Sequence, residues 1–216
     1  MVLINPNTST ATTAMMTSLA RRALGPARPV RGVTVRRGPA MLTDPAALRA
    51  AAPEVLAAGL RAAAGGDCAG LLVAAFGDPG LDLLRAAAPV PVVGIGEAAL
   101  LEAAAHGTPF GIATTTPLLA DAITERVTAL GLAGRYTGLR LTTGSPERLS
   151  ADPALLLDRL ERAVRACAER DGARAVVIGG GPLGEAAERL RPHTPVRLVA
   201  PIPAACRAIT GMPPRP

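Results

Sequence analysis

Four short segments of this chain place small, hydroxylated or acidic residues directly behind apolar runs, and these are the positions where chemistry could be done. They are residues 5–9 (Asn5-Pro6-Asn7-Thr8-Ser9), 76–80 (Phe76-Gly77-Asp78-Pro79-Gly80), 114–116 (Thr114-Thr115-Thr116) and 179–183 (Gly179-Gly180-Gly181-Pro182-Leu183). Hydroxyls and free backbone N–H groups at such turns suit a small anion, most simply a carboxylate. The expected substrate-binding residues are therefore Asn7, Thr8, Phe76, Gly77, Thr114, Thr115, Gly180 and Gly181. Asp78 and Glu97 also follow apolar runs and are the expected acid/base residues. Each has a plainer reading as well. Asp78 could be the N-cap of a helix starting at Pro79, and Glu97 could cap or face the site from the Gly94-Ile95-Gly96 turn.

Missing residue types narrow the chemistry further. All 23 basic residues are arginine, and there is no lysine. A pyridoxal-phosphate enzyme or a class-I aldolase needs a lysine amine for its Schiff base, and a Walker P-loop needs its own lysine, so all three are excluded. Cys68, Cys167 and Cys206 are widely spaced, and His106 and His193 are the only histidines, which frames neither a disulfide scaffold nor a zinc site. No metal and no organic cofactor is expected. The three thiols read as small buried apolar groups, His106 as a cation at a helix C-terminus and His193 as a loop residue.

The net charge of +6 comes from scattered arginines, and Phe76, Phe110 and Tyr136 are too few to make a stacking platform. A small carboxylate or carbonyl compound is the expected partner, not nucleic acid. No apolar run approaches the roughly 20 residues of a membrane span, and the N-terminus shows no basic region or cleavage site. A cytoplasmic protein, acting as a homo-oligomer, is expected.

The elements that must position these turns are legible as alternating runs. Strands are predicted at residues 2–4, 33–36, 69–75, 90–95, 110–114, 137–141, 173–178 and 196–199, with helices between them such as 45–64, 116–130 and 153–170. Asp44 and Asp152 each precede a proline at a first helical position, a strong start signal. Continuous apolar strands that alternate with helices indicate buried parallel sheets. The pattern also occurs twice. Val2-Leu3-Ile4 leads into a Thr/Ser-rich turn, followed by the strand into Phe76 and then Pro89-Val90. Phe110-Gly111-Ile112-Ala113 leads into Thr114-Thr115-Thr116, followed by the strand into Gly179 and then Pro195-Val196. Two pseudo-symmetric lobes follow, each a four-stranded parallel sheet flanked by helices. The expected lobes are residues 1–96 with a returning 200–216, and residues 97–199. Ligands of parallel sheets bind beyond the carboxyl ends of the strands, so the site is expected in the cleft between the lobes.

Several of these segments together resemble the hydantoin/allantoin racemase branch of the aspartate/glutamate racemase superfamily. They are Ile4-Asn5-Pro6-Asn7-Thr8-Ser9, Ala75-Phe76-Gly77-Asp78-Pro79-Gly80-Leu81, Pro91-Val92-Val93-Gly94-Ile95-Gly96-Glu97-Ala98-Ala99 and Phe110-Gly111-Ile112-Ala113-Thr114-Thr115. The resemblance implies cofactor-free removal and return of a proton at a carbon next to a carbonyl, by two cysteines flanking the stereocentre. It maps those thiols onto Ala75 and Gly180, which carry no proton. Two-thiol racemisation is therefore not expected. The similar arylmalonate decarboxylases lack the first cysteine but keep the second. Two readings remain: an isomerase, lyase or cyclase that works by enolate or oxyanion stabilisation, or an inactive homologue that binds a small carboxylate. Gly179–Gly184 and Gly94–Ala99 also fit dinucleotide-loop spacing, but Pro182 removes an N–H from the first and neither has the acidic residue a ribose requires.

Overall fold

A computed structural model describes residues 1–194 and 196–212. Pro195, which the internal repeat pairs with Pro89, and the end of segment 200–216 lie outside the described residues. Among the described residues eight parallel strands form two sheets. The first contains β1 (Val2–Asn5), β2 (Arg31–Thr34), β3 (Leu71–Val73) and β4 (Val92–Gly94), in the order β2-β1-β3-β4. The second contains β5 (Phe110–Thr114), β6 (Tyr136–Leu141), β7 (Ala175–Ile178) and β8 (Arg197–Val199), in the order β6-β5-β7-β8. The two halves of the chain thus repeat one strand order.

Each central strand is buried along its length because helices cover both faces of its sheet, which is why β1, β3, β5 and β7 read as unbroken apolar runs. The edge strand β2 differs. The expected strand 33–36 is instead β2, two residues earlier and in register Val2↔Arg31 to Asn5↔Thr34 with β1. Half-exposed and polar, it carries no continuous apolar signal. Gly32 marks its start because a Cβ there would run into the Thr17 hydroxyl.

The helices are α1 (Thr10–Leu24), α2 (Pro45–Ala63), α3 (Leu81–Ala87), α4 (Ile95–Ala103), α5 (Ala120–Ala129), α6 (Pro146–Ala151), α7 (Pro153–Glu169), α8 (Gly184–Leu190) and α9 (Pro201–Thr210). The two Asp-Pro starts act as expected: Ala47 N donates to Asp44 Oδ1 at 2.8 Å, and Leu155 N donates to Asp152 Oδ1 at 3.0 Å. The helix expected over 116–130 opens as a 3-10 turn, Pro117–Leu119, before α5.

The apolar side chains form three cores. One lies outside the first sheet, with Ile4, Val55 and Leu84, and one outside the second, with Leu160, Val164 and Ile178. The largest lies between the sheets and joins Leu3 and Leu72 to Phe110 and Ile112. In it, α9 packs on α1 and β4 of the first half, while α4 packs on β7 and β8 of the second.

Candidate active site

All four strand-end turns reach one cavity of about 430 Å³. It is bordered by Asn7 behind β1, Ala74–Gly77 behind β3, Thr115 and Thr116 behind β5, and Gly179–Leu183 behind β7. The β3 and β7 turns come close to each other: a Cβ on Gly181 would lie 3.3 Å from the Ala74 carbonyl oxygen. Most of the remaining wall is apolar, from Met15, Met41, Leu48, Leu100, Ile123, Leu149, Leu156 and Leu157. The volume falls within the range of organic-ligand sites.

Asn7 is held by a buried network. Asn5 Nδ2 donates to Asn7 Oδ1 (2.8 Å) and to Thr13 Oγ1 (2.9 Å), and Thr13 pairs with Thr34 at 2.6 Å. Ser9 N also donates to Asn7 Oδ1, at 2.9 Å. Asn7 is only 8% exposed, its oxygen is doubly engaged, and its Nδ2 has no partner among the described residues. The turns contribute further donors. Asp78 N is used by Ala75 O and Gly179 N by Ala113 O, but the amides of Phe76, Gly77, Thr115, Thr116 and Gly181 take no partner among the described residues. A preorganised set of N–H donors around an apolar cavity is what a developing oxyanion requires.

Among the expected binding residues, Asn7, Phe76, Gly77, Thr115, Gly180 and Gly181 border the cavity, as does Ala75. Thr8 and Thr114 do not. Thr8 N donates to Pro39 O at 3.1 Å, and Thr114 Oγ1 donates to Gly179 O at 2.7 Å, tying the β5 and β7 turns together. The two expected acid/base residues also stand off the cavity wall. Asp78 caps neither Pro79 nor α3. Its carboxylate reaches across to α4, accepting from Gly96 N (2.9 Å) and Glu97 N (2.6 Å). This explains the glycine spacing there: a Cβ on Gly96 would collide with Phe76 O, and one on Gly94 with the Asp78 carboxyl. Asp78 takes a left-handed φ of 45°, which aspartate tolerates better than most side chains. Burial pushes its carboxyl up to about 7, against the pull of the two amides and the more distant Arg126. Glu97 lies between two guanidiniums, accepting from Arg85 Nη2 at 3.0 Å and Arg126 Nη2 at 2.6 Å. Neither carboxylate is therefore presented to a ligand, and both act as struts between elements.

The thiols are away from the cavity too. Cys68, Cys167 and Cys206 are free and buried, with Cys167 Sγ 3.6 Å from Ile112 O beneath β5. Burial pushes Cys167 and Cys206 up to about 12. His106 and His193 are exposed in 3-10 turns, and neither borders the cavity.

Three charged residues that the sequence did not single out do border it: Arg126 on α5, and Glu185 and Arg189 on α8. Among the described residues Glu185 is the one carboxylate on the wall. Its position near the start of the helix that follows Gly179–Leu183 was the available signal.

Two parallel four-stranded sheets with one small-molecule cavity between their carboxyl ends define a two-lobed α/β protein with an inter-lobe site. The chain belongs to the Asp/Glu/hydantoin racemase family, whose profile matches residues 1–209. It is 27% identical over 211 residues to hydantoin racemase of Paenarthrobacter aurescens, covering 98% of this chain and 89% of that protein. Allantoin racemase from Klebsiella pneumoniae superposes with a TM-score of 0.89 at 30% identity, covering 97% of this chain and 85% of that one. Arylmalonate decarboxylase shares the fold, with a TM-score of 0.66 at 19% identity over 100% of this chain and 95% of the other.

Proposed function

We propose that this protein is a cofactor-independent isomerase or lyase that holds a carbonyl compound in the inter-lobe cavity and stabilises its enolate, without a thiol pair. One observation carries the reading: unpartnered N–H donors from all four turns border a single apolar cavity. A carbonyl oxygen set among them would gain most as it becomes an oxyanion, and a single donor of this kind is worth about 10²–10³ in rate. The lack of lysine supports independence from pyridoxal phosphate. Ala75 and Gly180 stand where the family resemblance places thiols, so a proton is delivered by water or by Glu185, and on one face only. Return on one face leaves a chiral substrate exchanged but unchanged in hand, and gives a single enantiomer, not a racemate, where the enolate comes from loss of CO2.

The test is incubation of the purified protein with single enantiomers of 5-substituted hydantoins, amino acids and substituted malonates in D2O. Deuterium at the α-carbon with optical purity retained, or loss of CO2 to one enantiomer, is the expected result. Silence across the panel would overturn the enzymatic reading. A second reading then applies, favoured by the occupied carboxylates of Asp78 and Glu97: a homologue that binds a small carboxylate without turning it over.

A further inference from the structure

Arg126 is the cation on an otherwise apolar stretch of the cavity wall, beside Leu119, Ala122 and Ile123. A partly buried guanidinium needs its donors engaged, and this one is under-served. Its Nη2 donates to Glu97 Oε2, but the same carboxylate also receives both Nη atoms of Arg85, at 3.0 and 3.4 Å. Arg126 Nε is buried without a partner, and no described side chain accepts from Nη1. Asp78 is near enough to sense the charge, but its carboxyl accepts from Gly96 N and Glu97 N instead. Glu97 thus orients Arg126 through Nη2, the buried Nε is closed off, and Nη1 is the donor left for the cavity.

We propose that Arg126 reads an anionic group on the ligand, and that the substrate class is a monocarboxylate with a bulky apolar body. The planar guanidinium matches a carboxylate in shape, and of the other two charges on the wall Glu185 offsets Arg189, leaving one positive charge for one negative charge on the ligand. Met15, Met41, Leu149, Leu156 and Leu157 supply the surface for the apolar body. This rests on the reading of the cavity as the substrate site, and it concerns recognition, not turnover.

Binding of 4-phenylbutanoate and of its neutral amide, 4-phenylbutanamide, measured by calorimetry on the whole protein, separates the two. A hydrogen bond to a charged group is worth about 1.5–3 kcal/mol, so wild type should prefer the carboxylate by about 10- to 100-fold. R126Q should erase that preference with amide affinity retained. Glu97 keeps Arg85 as its partner in that variant. R126K, which keeps the charge but not the planar fork, should restore part of the preference, and R162Q on the outer face of α7 should leave it intact. Equal binding of acid and amide by wild type, no binding of either, or full preference in a folded R126Q would overturn the proposal. Preference without any deuterium uptake would overturn the enzymatic reading and leave this one standing.

Discussion

Introducing cysteine at Ala75 and Gly180 together should turn the cavity into a two-base racemising site. Both positions border the cavity, on the turns behind β3 and β7, and those turns touch through Gly181 and the Ala74 carbonyl. The steric cost falls mainly on one side. Gly180 has an extended φ of 173° that any residue adopts, but a Cβ there would sit 3.0 Å from Leu183 Cγ and Cδ1. Leu183 is a side chain that can rotate away, so a stability loss of about 1–3 kcal/mol is expected. Ala75 already has its Cβ, and a single sulfur is small against a cavity of about 430 Å³. A positioned acid or base contributes about 10²–10⁴ in rate. A75C alone should therefore speed deuterium exchange at the α-carbon of a 5-substituted hydantoin by that factor with chirality retained, because only one face gains a base. The double variant should also lose optical purity, with a bell-shaped pH profile centred near the thiol range of about 8.5. Proton NMR in D2O gives exchange, chiral chromatography gives inversion, and circular dichroism confirms folding. A folded double variant that exchanges without inverting would mean that the two turns do not flank one carbon, and the reasoning would fail.

Asp78→Asn should cost about 1–3 kcal/mol, because an amide can accept only one of the two α4 N–H bonds well. The pH dependence is also distinctive. A carboxyl raised to about 7 in the fold stabilises most below the ordinary range near 4, and that contribution is lost as pH rises through 7. The stability gap between wild type and D78N, read from thermal midpoints, should therefore narrow from pH 4 to pH 7.5. A widening gap would show that the helix N-terminus, not burial, governs this group. Gly96→Ala should cost about 3 kcal/mol or more and disturb the cavity, since its methyl would meet Phe76 O, a backbone atom that cannot rotate away. Urea midpoints together with 4-phenylbutanoate affinity would show both effects. Iodoacetamide at pH 8 should label none of the three cysteines in the native protein and all three in urea, and should leave ligand binding unchanged. Fast native labelling would contradict their burial.

The sheets were legible because their central strands are covered on both faces. Leu71-Leu72-Val73 and Ala175-Val176-Val177-Ile178 could hardly be anything else, whereas β2 was expected at 33–36, two residues late, because its first residues, Arg31 and Gly32, are exposed and give no apolar signal. The meeting of four turns could also be inferred, since repeated halves present equivalent strand ends to each other. Side-chain roles were harder to read. Asp78 precedes a proline and looks like a local cap, yet its partners are the amides of Gly96 and Glu97, brought close by the β3–β4 pairing. Arg126 resembles any solvated helix arginine, and only the packing of Ile123 and Val127 into the central core sets its side of α5 against the cavity. Proximity in sequence predicts caps well and cross-sheet partners poorly.

The reciprocal placement of α4 and α9 limits how this molecule can move. Each half sends its last helix to lie against the other, so cutting the chain between them would leave each fragment holding a helix whose packing surface lies on its counterpart. The halves are coupled like clasped hands: each exchanged helix rides with the lobe it packs on, so swinging the lobes apart would have to part α4 from α9 and lift α1 off α8. Entry to the cavity falls instead to the pieces that roof it without belonging to that clasp: the stretch with Met41 and Leu42, and α6 with Leu149. Exchange of ligand should therefore be governed by these small coverings, at a rate set by local loosening and not by separation of the lobes.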